Sequence, residues 1–337
     1  MNAMKICIVG AGAIGGFFGA RLAAAGRTRV SVLARGATLA ALQQHGWRLR
    51  QGETLLQTPA LALGRASDLG PQDLVVIAVK GPALAAIAQS IQPLLGPQTV
   101  VLPAMNGVPW WFGFGHPAVG DAPLESVDPG GRIAAAIEQR RVVGCVVHLS
   151  ASTPEPGLVM HKMGHGLIIG EPDGTVSERV RDIGDVFKDA GFEVTLSTNI
   201  RYDIWYKLWG NMTMNPVSAL TGSTADRVLD DPLTRKLCTS AMAEAAAIGQ
   251  RIGCAVAQTP DERHVITRKL GAFRTSMLQD VEAGRPIELD GIVTAVHELG
   301  GRVGVATPFI DALLGLTRLF ARVRGLYPEA DPIHPKA

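Results

Sequence analysis

Three polar side chains, Lys207, Asn211 and Asn215, recur at four-residue spacing in the stretch Trp205-Tyr-Lys-Leu-Trp-Gly-Asn-Met-Thr-Met-Asn-Pro216. In an α-helix each such step turns the side chain by about 40° and raises it by about 6 Å, so the three tips form one column. Trp205, Leu208, Trp209, Met212, Met214 and Val217 lie around that column and read as buried. One ammonium and two amides in such company must find partners, because a buried polar group left unpaired is costly. On spacing alone two explanations stand level. The Asn side chains can cap neighbouring loops while Lys207 reaches water, or the column can face a ligand.

A second pattern stands at the start of the chain. Lys5-Ile-Cys-Ile-Val9 reads as a short buried strand, and the turn Gly10, Ala11, Gly12, Ala13, Ile14, Gly15 follows at once. It opens a helical pattern through Phe18, Leu22 and Ala25, and a second strand, Val30–Leu33, comes next. This is G-x-G-x-x-G in the strand–turn–helix setting that binds a dinucleotide. Gly10 permits the tight turn, Gly12 lets the backbone approach a pyrophosphate, and Gly15 allows close helix–strand packing. The helix N-terminus faces the phosphates. The competing explanation is a glycine-rich turn in a fold that has lost its ligand. The second strand ends in Ala34-Arg35-Gly36, where NAD-binding chains carry an acidic residue. Arg35 suits a 2′-phosphate, which it can hold in bidentate fashion, so the expected cofactor is NADPH/NADP. A solvated surface arginine is the alternative.

The remaining elements must position these groups. Trp47–Leu63 reads as a hairpin, and Leu74–Val79 and Thr99–Leu102 as buried strands ending in Lys80 and in Pro103-Ala-Met-Asn106-Gly107. Ligands of open α/β sheets bind outside the carboxyl ends of strands, so Lys80 and Asn106 are placed to reach one. Taken alone, each is better explained more simply, Lys80 as a solvated strand end and Asn106-Gly107 as an ordinary turn. Residues 108–141 are irregular, aromatic and Gly-rich, and a loop of that length reads as a lid or binding loop. Val142–Val147 resumes the sheet, Gly157–Lys162 and Gly166–Gly170 read as a hairpin, and a helix over 176–190 and a strand over 192–195 follow. His161 and His165 have no third ligand at hand and read as edge residues. From Asn199 on the pattern is helical, with Thr198 or Asn199 as cap and Pro216 expected to kink or interrupt the first helix. Further helices are expected over 233–252, 260–282, 288–303 and 308–322. Ser276 can be explained by helix packing, and Glu288 by the favourable field of a helix N-terminus.

Hydrophobic residues make up 47% and charged residues 18% of the 337, which excludes a disordered chain and leaves room for two domains. A net charge of +2 without a Lys/Arg block gives a nucleic-acid role no support. No apolar stretch reaches the roughly 18 residues of a membrane span. The chain opens on a strand without secretory signal architecture. Cys7, Cys145, Cys238 and Cys254 lack metal spacing and read as small buried hydrophobes in a reducing cytosol. A cytoplasmic protein without a bound metal is expected.

Together these residues resemble the ketopantoate reductase (2-dehydropantoate 2-reductase) family. The resemblance rests on Gly10-x-Gly12-x-x-Gly15, Arg35, Lys80, Asn106-Gly107, Lys207-x3-Asn211-x3-Asn215-Pro216, Ser276-Met-Leu-Gln-Asp280 and Glu288, in the family's order. The glycine motif is common to many dehydrogenases; the Lys-Asn-Asn-Pro and Ser-Met-Leu-Gln-Asp motifs are specific. The resemblance implies an α/β architecture, with an N-terminal Rossmann-type dinucleotide-binding domain followed by an all-α domain and the active site in the cleft between them. The expected boundaries are 1–197, 198–327 and a loose tail over 328–337. It implies NADPH reducing a 2-oxo acid to a 2-hydroxy acid, ketopantoate to pantoate first of all. By position Lys207 matches the family's catalytic lysine, the general acid, and Glu288 the acidic residue beside it. Asn106, Asn211, Asn215 and Ser276 match substrate contacts. Lys80 matches a lysine at the cofactor–substrate boundary, and Asn106 is expected to serve the cofactor as well.

The chemistry agrees with those roles. Hydride arriving at a ketone carbon leaves negative charge on oxygen, and an ammonium aimed at that oxygen stabilises the charge and can supply the proton. A neighbouring carboxylate would orient the ammonium, while Asn and Ser donors can hold the substrate's carboxylate and hydroxyl groups. Two departures bear on the substrate. The segment 109–131 is longer than the family's and is expected to reshape the pocket or form a subunit contact. Phe273 stands where some members carry a polar residue, which implies a more apolar pocket. A paralogue acting on a larger or more apolar oxo acid therefore stays open. So does an NADP-binding sensor that has lost catalysis, although the intact Lys207 and Glu288 argue against it. The Ala-rich helical faces leave a homodimer open.

Overall fold

In the computed structural model, residues 3–329 are described. The first unit contains residues up to Met105 together with Arg132–Asp203. Its elements in chain order are β1 (Lys5–Val9), α1 (Ala13–Ala25), β2 (Arg29–Leu33), α2 (Gly36–His45), β3 (Trp47–Gln51), β4 (Thr54–Thr58), β5 (Leu61–Leu63) and β6 (Gln72–Ile77). They continue with α3 (Leu84–Ser90), β7 (Leu95–Pro103), α4 (Arg132–Ala136), β8 (Gly144–Glu155), β9 (Leu158–Gly170), α5 (Glu178–Asp189) and β10 (Glu193–Leu196). A parallel sheet runs in the order β5-β2-β1-β6-β7. Chain order turns back on either side of β1, so the carboxyl ends of β1 and β6 flank the switch point where such sheets take ligands. β1 and β6 are covered on both faces, which is why they read as continuous apolar runs without alternation.

α1 serves two sheets at once. A methyl at Gly15 would stand 1.9 Å from the Gly10 carbonyl oxygen, beside the first sheet. Methyls at Gly16 and Gly19 would stand 2.6 Å from Val159 and 2.1 Å from the Trp47 ring, in the second sheet. A helix covered on both sides is apolar all round, and its Phe17, Phe18 and Leu22 lie in the core with Phe187 and Phe192.

The second sheet corrects two expectations. Val142–Val147 does not resume the first sheet; from Gly144 it forms β8, which pairs antiparallel with β9, and an isolated bridge Val101–Val142 ties its approach to β7. Gly157–Lys162 and Gly166–Gly170 are not a hairpin but the two halves of β9. The hairpin is β8–β9, turning at Gly157 with φ +72°. Gly164, at φ +74° inside β9, supplied the false turn signal; the register with β8 shifts in that region, as at a glycine bulge. β9 also pairs in parallel with β3 through Leu158–His161 and with β10 through Gly166–Ile169. The hairpin expected in Trp47–Leu63 is β3–β4.

The second unit contains Asn106–Gly131 together with the chain from Ile204 on. Its helices are α6 (Ile200–Thr221, which opens within the first unit), α7 (Ala225–Asp230), α8 (Pro232–Arg251), α9 (Pro260–Arg268), α10 (Ser276–Glu282), α11 (Ala295–Arg302) and α12 (Pro308–Val323). Asn199 caps α6, its Oδ1 accepting from Tyr202 N at 3.1 Å. Of the kink or interruption expected at Pro216, the interruption does not occur, and α6 runs through the proline. Burial of Met212, Thr213, Met214, Val217 and Ser218 around the proline offsets the missing backbone donor. The helix expected over 260–282 is two. Gly271, at φ +62°, follows the end of α9, and Thr275 caps α10. Trp110, Trp111 and Phe112 are buried, and the aromatic segment 106–131 belongs to this unit and not to the first. Tyr327, expected as the last residue before the loose tail, is buried too; residues 330–337 of that tail lie outside the described residues.

Candidate active site

In the first unit, packing decides which glycines of the turn are free to serve a ligand. Gly10 has φ +90°, and a methyl there would meet Val79 Cγ1 at 2.6 Å. Gly15 is pressed against Gly10 as described. At Gly12 an added methyl meets no atom of the described residues within 4 Å. The chain itself therefore demands glycine at 10 and 15 but not at 12, and the bareness of Gly12 fits the close approach of a pyrophosphate. The first turn of α1 has no acidic residue and no side-chain cap, so the backbone N–H groups at Ala13 and Ile14 are suited to an anion. Gly10 N donates to Leu33 O at 3.0 Å, which ties the end of β2 to the turn. Two residues on, Arg35 is exposed, and its side chain makes no hydrogen bond or ion pair among the described residues. Lys80 is half-buried just past β6, next to the Val79 that touches Gly10. These residues fit the phosphates of NADP(H).

In the second unit Lys207 Nζ donates to Asn106 Oδ1 at 2.7 Å, across 101 residues of sequence. The turn that carries Asn106 is itself held. Gly107 has φ +86°, Val108 N donates to Gly291 O at 2.7 Å, and a methyl on Gly107 would stand 2.4 Å from that oxygen. Gly291 lies in a π-helical turn, Asp290–Thr294, where Val293 N and Thr294 N both donate to Leu289 O at 2.8 and 3.3 Å. Widened turns of this kind are frequent at functional sites. Glu288 precedes Leu289 and is half-buried, so it stands before the helical run and not within it. Asn211, half-buried, and Asn215, buried, continue the Lys207 column on unbroken α6. Ser276 is exposed at the start of α10, and the cap there is Thr275, whose Oγ1 accepts from Leu278 N at 3.2 Å.

The segment expected as a lid is fixed at both ends. Its aromatic residues are core, and farther on Glu298 accepts from Glu125 N at 3.0 Å and Ser126 N at 2.9 Å. Arg302 holds Glu298 at 2.7 Å and donates to Ala122 O at 2.7 Å. Phe273, expected to make a pocket more apolar, packs against the buried cluster that contains Met214 and Val217. Burial pushes the Cys7 and Cys238 thiols up to about 12, so neither is a nucleophile at neutral pH. Sequence reasoning missed Gly291, Asp290 and Tyr327. A glycine three residues after Glu288 was a usable signal for the first; Tyr327, among prolines near the chain end, offered none.

Comparisons with known proteins agree with this geometry. The family model described as ketopantoate reductase PanE/ApbA matches residues 6–174, and that of its C-terminal part matches residues 199–321. A 2-dehydropantoate 2-reductase of Mesorhizobium japonicum is 46% identical over 96% of this chain and 100% of its own. A crystal structure from Ralstonia solanacearum, provisionally named a ketopantoate reductase, matches with a TM-score of 0.93 and 54% identity over 97% of this chain and 100% of that one. A 2-dehydropantoate 2-reductase structure from Geobacter metallireducens matches with a TM-score of 0.82 and 27% identity, over 94% and 100% of the two chains. With the glycine turn and the lysine–asparagine column both lying inside the matched regions, the chain belongs to the PanE/ApbA ketopantoate reductase family and is an NADP-dependent oxidoreductase.

Proposed function

We propose that this oxidoreductase reduces 2-dehydropantoate to pantoate, with Lys207 as general acid. The observation that carries the reading is the Lys207–Asn106 hydrogen bond of 2.7 Å, which fixes an ammonium at the head of a column of amides. The 46%-identical relative, a 2-dehydropantoate 2-reductase, supports the choice of substrate. NADPH, when bound, supplies the hydride. Lys207 stabilises the negative charge that forms on the ketone oxygen and gives it a proton, then regains one from solvent. Asn106 spends its carbonyl oxygen on one of the three N–H donors of the ammonium and so aims the others. Glu288 orients Lys207 from the adjoining segment. Asn211, Asn215 and Ser276 hold the substrate's carboxylate and hydroxyl groups. The turn Gly10–Gly15 takes the pyrophosphate, Arg35 the 2′-phosphate, and Lys80 stands at the cofactor–substrate boundary.

The burial of Trp110, Trp111 and Phe112 gives the long segment a packing role, which favours ketopantoate over a larger oxo acid. NADPH oxidation followed with ketopantoate and then with a panel of 2-oxo acids tests the substrate. Saturable turnover of ketopantoate is expected; turnover of another oxo acid alone would move the function to that substrate. Lys207→Ala should lower kcat by about 10²–10⁴ while NADPH still binds. Near-normal turnover in that variant would remove the general-acid assignment.

A further inference from the structure

We propose that Tyr327, near the end of the chain, is a positioning residue for the reaction, acting through Asp290 to set the place of Glu288 beside the Lys207 column. The inference rests on the roles proposed above for Glu288 and Lys207. Two bonds from one short C-terminal stretch bracket Glu288. On one side Ile287 N donates to Leu326 O at 3.1 Å. On the other the Tyr327 hydroxyl donates to Asp290 Oδ1 at 2.5 Å, a length usual for a hydroxyl on a carboxylate. Thr294 Oγ1 donates to the same oxygen at 3.2 Å.

The stretch that supplies these bonds is itself anchored. Leu326 N donates to Ala321 O at 2.8 Å, closing the end of α12. Arg322 Nε donates to Pro328 O at 2.9 Å, and its guanidinium lies 5.6 Å over the Tyr327 ring. Leu326 and Tyr327 are both buried. One residue past Asp290 stands Gly291, whose carbonyl takes Val108 N at 2.7 Å, and the same turn presents Asn106 to Lys207. Tyr327 is thus the far end of a continuous series of bonds that reaches the ammonium. A shift of about 1 Å in a reacting group can cost about 100-fold in rate, so a lost tether two residues from Glu288 should be visible in turnover.

The test uses the full chain with NADPH and ketopantoate, or with the oxo acid that it turns over. Tyr327→Phe keeps the ring and its burial and removes only the hydroxyl. It is expected to lower kcat about 10-fold, with KM for the oxo acid and Kd for NADPH within about twofold of wild type. Asp290→Asn should lower kcat alike, and the double variant should fall no further than the worse single one, because both break one link. Tyr327→Phe with wild-type kcat, while Glu288→Gln loses turnover, would overturn the inference and leave Glu288 its role. A kcat loss matched by an equal loss of NADPH affinity would overturn it as well. Wild-type turnover in Glu288→Gln is a distinct failure, that of the underlying reading, and takes the inference with it.

Discussion

The glycine turn after β1 and the lysine cluster of the second unit are both built to hold hydrogen-bonding groups in place, and they do it by opposite routes. The turn is local. Its shape follows from a strand, three glycines and a helix inside Lys5–Leu33, with Ala78 and Val79, just past β6, crowding it from farther along the chain. The cluster is assembled from residues 106–108, 207–215, 287–294 and 326–327. In the turn the critical feature is the absence of side chains; in the cluster it is the closure of segments upon one another. A fault in the first should therefore be felt in nucleotide affinity, and a fault in the second in turnover.

The sharpest way to break that distinction is Gly107→Ala. The position has φ +86°, which L-residues other than glycine adopt at a cost of roughly 1–2 kcal/mol. The new methyl would also lie 2.4 Å from the Gly291 oxygen, and since both partners are backbone no side chain can yield. Asn106 must then shift with its turn. Turnover is expected to fall by about 100-fold or more, with NADPH affinity held within about twofold. Steady-state kinetics and cofactor fluorescence titration separate the two. Equal losses in both would mean that the cluster and the turn are not independent faults.

A smaller effect, confined to the turn, sharpens the comparison from the other side. Gly15→Ala puts a methyl 1.9 Å from the Gly10 carbonyl and should destabilise the fold by about 1–3 kcal/mol, the range of core overpacking. Gly12→Ala meets no atom of the described residues within 4 Å. It should keep the wild-type melting temperature and weaken NADPH by about tenfold, or about 1.4 kcal/mol. If Gly12→Ala binds NADPH as tightly as wild type, the pyrophosphate does not lie where the bare backbone invites it.

The same contrast explains what was legible in the sequence. The Rossmann-type start could be read because its signals sit within one strand–turn–helix unit. The Lys207 column could be read because helical spacing alone fixes it, and α6 keeps that spacing even through Pro216. The second sheet was misread where a glycine inside a bulged strand imitates a turn, as at Gly164. The aromatic run Trp110–Phe112 reads as part of a lid or binding loop because nothing local reveals that it is buried. Gly291 and Tyr327 acquire their meaning only from partners 183 and 37 residues away, Val108 and Asp290, and no periodicity encodes such pairings.

The smallest expected effect concerns Arg35, which belongs to the turn's side of the comparison but is free of its crowding. It occupies the position before α2 with extended backbone and no side-chain cap, and its guanidinium is exposed. Its side chain has no hydrogen-bond or ion-pair partner among the described residues, so Arg35→Ser should leave the melting temperature unchanged or slightly higher, because serine caps a helix where arginine does not. What it removes is a cation suited to a 2′-phosphate. A charge-assisted hydrogen bond contributes on the order of 1.5–3 kcal/mol, and solvent exposure should bring that to the lower end. KM for NADPH is then expected to rise about tenfold, with KM for NADH nearly unchanged and the rise blunted at high salt. An unchanged NADPH-to-NADH preference would place recognition of the 2′-phosphate elsewhere, and would show that the turn's neighbourhood holds a second nonlocal feature of the kind that governs the lysine cluster.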